Sequence, residues 1–213
     1  MDSRKLAKVA KTLRGRRIAV TGDFMLDLYV WGSATRISPE APVPVIDFMN
    51  DSQVLGGAGN VSANLAALGA TVFPFGVIGE DEAGRAIRAC LAADGIASKG
   101  VVADASRITT IKTRVVARQQ QIVRVDHERR EPLSRALEES LIRRIKAALG
   151  HLDALVISDY DKGVVSDPLA DRVLTECHHR GVPVLVKPKT SRLFAYRGAT
   201  VIVCNAKEAG FFV

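Results

Sequence analysis

The residues best able to do chemistry in this chain come in small groups spread along its length. Gly56-Gly57-Ala58-Gly59-Asn60 leads from an apolar segment into a helical one, so backbone N–H groups at a helix N-terminus can meet oxygen-rich ligands closely. The plainer alternative is a tight strand-to-helix turn that needs φ > 0. No Gly-Lys-Ser/Thr follows, which excludes a Walker loop, and Ser62 stands where a dinucleotide fingerprint places its third glycine. Three polar clusters close short apolar runs: Gly22-Asp23, Ser158-Asp159-Tyr160, and Asn205 with Glu208. Lys112 and Arg114 project from one face of an alternating segment. His178 and His179 are adjacent on a helical stretch, face different directions and read as surface residues.

Strands and helices must alternate to bring these groups together. Short apolar strands are expected over residues 17–21, 71–78, 154–157, 184–186 and 201–204. Helices are expected over 60–68, 82–93, 133–149 and 168–180, with Gly69, Gly95 and Gly181 as stops for three of them. For the last helix, Asp167 is expected as N-cap and Pro168 as first residue. The Pro-punctuated run from Ser38 to Pro44 forbids helix and favours an edge strand or hairpin over 43–48. Between residues 109 and 128 the period changes to two: Lys112, Arg114 and Arg118 share one face, Ile111, Thr113, Val115 and Ala117 the other, with a turn at Gln119-Gln120-Gln121. This order predicts an α/β fold, a largely parallel sheet with helices on both faces. Ligands of such sheets sit beyond the carboxyl ends of the strands, where the three polar clusters fall, so a single site is expected.

Composition narrows the function class. The 213 residues are 47% hydrophobic and 25% charged, which excludes disorder and collagen-like repeats. No apolar run approaches the ~20 residues of a membrane span, and Ile18-Ala19-Val20, behind a basic start that includes Arg4 and Lys5, is too short for a signal-peptide core. Cys90, Cys177 and Cys204 lack metal or redox spacing, which suits a reducing cytoplasm. The net charge of +7 fits a solvated surface or a site for anionic small molecules. Scattered basic pairs and 5% aromatics argue against nucleic acid.

The run Gly56-Gly57-Ala58-Gly59-Asn60-Val61-Ser62-Ala63-Asn64-Leu65-Ala66-Ala67-Leu68-Gly69-Ala70 resembles the N-terminal signature of the ribokinase-like (PfkB) family of sugar kinases. The stretch from Arg36 to Val45 is similar to the heptose-7-phosphate kinase branch of that family. So are Gly22-Asp23-Phe24-Met25-Leu26-Asp27, Thr113-Arg114-Val115, Arg124-Val125-Asp126, Ser158-Asp159-Tyr160-Asp161-Lys162-Gly163 and Tyr196-Arg197-Gly198-Ala199-Thr200. The resemblance implies ATP-dependent, Mg²⁺-assisted phosphorylation of D-glycero-β-D-manno-heptose 7-phosphate to the 1,7-bisphosphate, on the route to ADP-heptose and lipopolysaccharide core. It also implies a β lid over the sugar, from about residues 29–48 and 109–128, through which two copies dimerise.

Residue by residue, the resemblance implies that Asp23, Asp27, Gly57 and Asn60 contact the sugar. Lys112 and Arg114, projecting together from the hairpin, could hold the 7-phosphate by charge-assisted bonds or simply form a solvated basic strand face. Asp159 and Lys162, after a buried strand, could reach the ligand or shape the turn. Asn205 and Glu208 would hold Mg²⁺ through water near the nucleotide, beside Lys189; the alternative for this pair is a helix capping box. Asp23 has an alternative too, capping the turn after Gly22. Two departures stand out. Lys187-Pro188-Lys189 replaces the family's Asp-Pro-Lys, and Gly-Ala-Gly-Asp, which carries the general base and anion hole in relatives, is absent. The expectation is therefore the N-terminal portion of one kinase domain over residues 1–213, ending at Gly210-Phe211-Phe212-Val213 just after a helix begins, with no turnover of its own. A second reading is a non-catalytic sugar-phosphate-binding or dimerisation module.

Overall fold

A computed structural model describes residues 8–189 and 194–210. Arg4, Lys5 and the apolar end at Phe211-Phe212-Val213 lie outside the described residues. Two sheets organise the chain. The first has six strands in the order β10-β9-β8-β1-β4-β5, every pair parallel. They are β1 (Arg17–Gly22), β4 (Thr71–Gly79), β5 (Val101–Asp104), β8 (Ala154–Ser158), β9 (Val184–Lys187) and β10 (Val201–Ile202). The α/β expectation holds, and β5 is an addition to it.

The pleat of β1 shows why helices must cover both faces. Ala19 and Val20 are both fully buried, yet they enter different apolar clusters because successive side chains point to opposite faces. On the Ala19 side pack α3 (Arg135–Ala148) and α4 (Asp167–His179), through Leu141, Ile142, Ile145, Leu169 and Val173. On the Val20 side lie α1 (Ala58–Ala67) and α2 (Glu82–Ala93), through Ala58, Ile87 and Leu91. The stripe Leu141–Ile145–Leu149 is buried as the 3.6-residue period predicts.

Helix ends follow local chemistry. Gly69, Gly95 and Gly181 each follow a helix with positive φ, as expected. The start of α4 differs: Ser166, not Asp167, is the N-cap, its hydroxyl accepting from the Leu169 N–H, and this moves Pro168 one place inward. The start of α1 differs as well. It begins at Ala58 behind Gly57, so Asn60 lies inside the first turn.

The second sheet is antiparallel at its two ends and parallel in the middle, in the order β3-β2-β6-β7. Its strands are β2 (Phe24–Ile37), β3 (Pro44–Gly57), β6 (Thr110–Ala117) and β7 (Gln120–His127). The expected segment 29–48 lies within a longer hairpin from Phe24 to Gly57, in which β2 starts one residue after β1 and carries Asp27. The Pro-rich run is its turn, and β3 is an edge strand as expected. The β6–β7 turn is centred on Arg118 and Gln119, both at positive φ, one residue earlier than expected. Arg118 is therefore a turn residue and does not share the strand face of Lys112 and Arg114.

Candidate functional site

Asp23 stands where the two sheets part and is the hub of the site. Its carbonyl accepts from the Ala58 N–H at 2.9 Å, which sets the start of α1, and its own N–H donates to Ser158 at the end of β8. Its carboxylate accepts from three backbone N–H groups of the loop after β8: Tyr160 at 2.7 Å, Lys162 at 3.2 Å and Val164 at 3.2 Å. The side chain is buried. Burial pushes its pKa up to about 6, and the nearby Asp159 adds to that, against the loop N–H groups that favour the charged form. Asp159 is equally buried. Its carboxylate accepts from the Tyr196 hydroxyl at 2.6 Å and from the Asp161 N–H at 2.8 Å, while its N–H donates to Lys187 in β9. Neither aspartate is among the residues that line the cleft described next, and the contacts above engage both carboxylates with the protein itself. They are the framework that holds loop 160–164 across the strand ends.

Tyr196 therefore locks Asp159 from the far side. Tyr196→Phe is expected to cost about 1.5–3 kcal/mol, the range for a hydrogen bond to a charged group. Chemical denaturation of the two proteins measures it, and a loss below about 0.5 kcal/mol would show that the bond carries little.

Above this framework lies a cleft of about 430 Å³. Its floor is Met25, Gly56, Gly57 and Asn60; its wall is one face of the second sheet, with Asp27, Lys112, Arg114, Arg124 and Asp126; its far side carries Glu128, Arg130, Tyr160, Lys162 and Lys189. The wall follows from register. Asp27, Lys112 and Asp126 lie across from one another on β2, β6 and β7, and Tyr29, Arg114 and Arg124 form the next row on the same face. Arg114 donates to Asp27 at 2.7 Å and its guanidinium lies 5.3 Å from the Tyr29 ring centre. Lys112 donates to Asp126 at 2.9 Å and to Glu128 at 3.3 Å. Burial pushes the Glu128 carboxyl up, but hydrogen bonds from Lys162, Arg130 and Lys112 outweigh it and hold the pKa at about 2. Basic side chains outnumber acidic ones two to one in the lining, so the cleft suits an anionic, hydroxyl-rich ligand.

Of the residues singled out from the sequence, Asp27, Gly57, Asn60, Lys112, Arg114, Lys162 and Lys189 line this cleft. Gly57 has φ 56°, ψ −129°, and a Cβ there would sit 2.2 Å from the Asp23 carbonyl oxygen. The turn therefore needs glycine, and the same feature keeps the cleft floor open. Tyr160, from one of the three polar clusters, lines the cleft too, while Arg124, Asp126, Glu128 and Arg130 join it without having been singled out as site residues from the sequence. Continuing the two-residue alternation from 124 through 128 would have found three of them.

Asn205 and Glu208 lie away from the cleft lining. They form a capping box on the short α5 (Ala206–Ala209), and both Glu208 carboxylate oxygens take the Lys187 ammonium, at 2.8 and 2.7 Å. The Lys187 ammonium holds the Glu208 carboxyl below its ordinary range. The capping box and the Lys187 pair engage both side chains, and the described residues include no group of three His, Cys, Asp or Glu side chains that could hold a metal ion. Among the described residues no helix is long and apolar enough to cross a membrane, and the three cysteines are free thiols.

Comparison with known proteins agrees with this geometry. The model of the pfkB family carbohydrate kinases matches residues 16–213. The chain is 43% identical over 209 residues to the bifunctional protein HldE of Pelobacter propionicus, covering 98% of this chain and 43% of that protein. It is 45% identical over 192 residues to HldE of Wolinella succinogenes, covering 90% and 40%. The chain thus spans less than half the length of these curated relatives. Among solved structures, a putative ribokinase from Agrobacterium tumefaciens superposes with a TM-score of 0.67 at 19% identity, over 92% of this chain and 61% of that one. Arabidopsis thaliana ribokinase, complexed with ribose and ATP, gives 0.59 at 17%, over 82% and 54%. The fold is ribokinase-like.

Proposed function

Because the chain belongs to the pfkB family of carbohydrate kinases, we propose that its cleft recognises D-glycero-β-D-manno-heptose 7-phosphate for ATP-dependent phosphorylation at O1. The new bond joins O1 to the γ-phosphorus of ATP, the β–γ bridge breaks, and the hydroxyl proton passes to a base. The 213 residues contain no Gly-Ala-Gly-Asp, and we assign no described residue as that base. Their share of the reaction is recognition. One observation carries this reading. A hydroxyl-accepting set (Asp27, Asn60 and the Gly57 turn) and a phosphate-binding set (Lys112, Arg114 and Lys162) line the same cleft, as a sugar phosphate requires. The HldE relatives support the choice of sugar. We propose that Lys189, which lines the cleft beyond β9, meets the nucleotide's phosphates.

Calorimetry tests the assignment. Arg114→Ala is expected to weaken heptose 7-phosphate binding about tenfold to hundredfold, the loss of one charge-assisted pair, and to leave unphosphorylated heptose nearly unchanged. An equal loss for both sugars would remove the phosphate from this side of the cleft.

We also propose that two copies meet through the lid. The sheet face turned away from the cleft carries Leu28, Val30, Val115, Val123 and Val125, with Val123 47% and Val125 57% exposed, and Phe48 beside them 66% exposed. An apolar face of this kind is what a matching face on a second copy would cover. Sedimentation is expected to give a dimer for the wild type and a monomer for Val125→Lys. A wild-type monomer at tens of micromolar would contradict it.

A further inference from the structure

Glu128 is the one carboxylate in the cleft on which three cations from separate segments converge. Its Oε1 accepts from Lys162 Nζ at 2.7 Å and from Arg130 Nη2 at 3.2 Å, and its Oε2 from Lys112 Nζ at 3.3 Å. Lys162 comes from the loop after β8, Lys112 from β6, and Arg130 from the segment after β7. The side chains of Glu128, Lys112 and Lys162 are only 14%, 14% and 11% exposed, whereas Arg130 is 65% exposed and can pivot. Both nearly buried ammonium groups meet on the two oxygens of Glu128, and its removal would leave Lys112 with Asp126 as its remaining carboxylate partner.

We propose that Glu128 is a built-in occupant of the phosphate subsite: its carboxylate gathers Lys112, Lys162 and Arg130 in the ligand-free protein and yields them to a substrate phosphate. This rests on the sugar-phosphate reading above and adds to it the residue that sets selectivity. A carboxylate offers one charge on two oxygens. A phosphate monoester above its second pKa of about 6 offers nearly two charges on three oxygens, enough to satisfy all three cations and displace Glu128. A neutral sugar or a monoanion cannot. Glu128 remains ionised throughout that range, so the exchange is between two anions and needs no protonation of the protein.

The test is calorimetry at pH 8 with heptose 7-phosphate and with heptose, on the wild type, Glu128→Gln and Glu131→Gln. Glu131→Gln removes the same charge from an exposed position outside the cleft lining and leaves Lys112, Lys162 and Arg130 on Glu128. Glu128→Gln is expected to bind heptose 7-phosphate about tenfold more tightly, with heptose unchanged, whereas Glu131→Gln changes either by less than about threefold. Thermal melts give a second readout. Ligand-free Glu128→Gln is expected to melt below the wild type and to gain more from added inorganic phosphate. Arg130→Gln, at an exposed position, is expected to weaken heptose 7-phosphate binding with no change in melting. An unchanged or weaker affinity in Glu128→Gln, or the same gain in Glu131→Gln, would overturn the role of Glu128 while leaving the sugar-phosphate reading standing. Failure of every variant and of the wild type to bind heptose 7-phosphate would overturn both.

Discussion

Asp23→Ala is expected to lose heptose 7-phosphate binding altogether and to lower stability by about 3 kcal/mol at pH 7, on the order of 10 °C in Tm. Three backbone N–H groups end on this carboxylate, and removing it strands them in a buried place at about 1–3 kcal/mol each. Relief from burying a charge offsets part of that. The offset depends on pH with a definite sign. The folded-state pKa of Asp23 is raised to about 6 from the ordinary 3.8, so the folded protein holds this proton more tightly than the unfolded chain. Its contribution to stability is complete below about pH 3.8 and falls as the pH rises to about 6, by roughly 3 kcal/mol. The stability gap between wild type and Asp23→Ala is therefore expected to be larger at pH 4.5 than at pH 7, measured by urea melts. A gap that widens towards pH 7 would mean that Asp23 is stabilised as an anion. Binding is lost for a geometric reason: loop 160–164 carries Lys162 and Tyr160 into the cleft, and Asp23 is what holds that loop.

Gly57→Ala is expected to cost at least about 3 kcal/mol and to abolish sugar-phosphate binding. The backbone there is in a region that L side chains rarely adopt, and the added methyl would press on the carbonyl of Asp23, the acceptor for the first N–H of α1. Relaxation must part the lid hairpin from α1, which opens the cleft floor. Gly95→Ala is the control. Its φ is also positive, at 71°, but nothing lies within 4 Å of the added Cβ, so the expected loss is only about 1 kcal/mol of backbone strain, with binding intact. Equal losses at both positions would show that strain alone, without the contact to Asp23, explains the effect.

These two residues also mark how far the sequence was legible. The parallel core could be read because its strands are short apolar runs between helices with clear stops, as at Gly69, Gly95 and Gly181. The gathering of Gly22-Asp23, Ser158-Asp159-Tyr160 and β9 at one end of the sheet followed from the rule for ligand sites in such folds. The direction of a buried carboxylate did not follow. Asp23 and Asp159 have the residue type and position of ligand-contacting groups, and only the partners Tyr160, Lys162, Val164 and Tyr196 show that they face inward. Asn205 and Glu208 have the spacing of a capping box and of a cation site alike; the structure shows the capping box, and it adds an ion pair to Lys187 across 21 positions of sequence. The length of β2 was hidden because it follows β1 after one residue and leaves the first sheet for the second. Its strand pattern mixes Asp27, Tyr29 and Trp31 on the cleft face with Leu26, Leu28 and Val30 on the other, an alternation that gains meaning only once β6 pairs with it.

A phosphorylated heptose is proposed to occupy the cleft between the second sheet and loop 160–164, and a crystal structure of the chain grown with heptose 7-phosphate decides it. The sugar hydroxyls are expected against Asp27, Asn60 and the Gly57 turn, with the phosphate within hydrogen-bonding distance of Lys112 and its basic neighbours. A phosphate pointing to solvent, or a ligand bound anywhere else on the molecule, would contradict it.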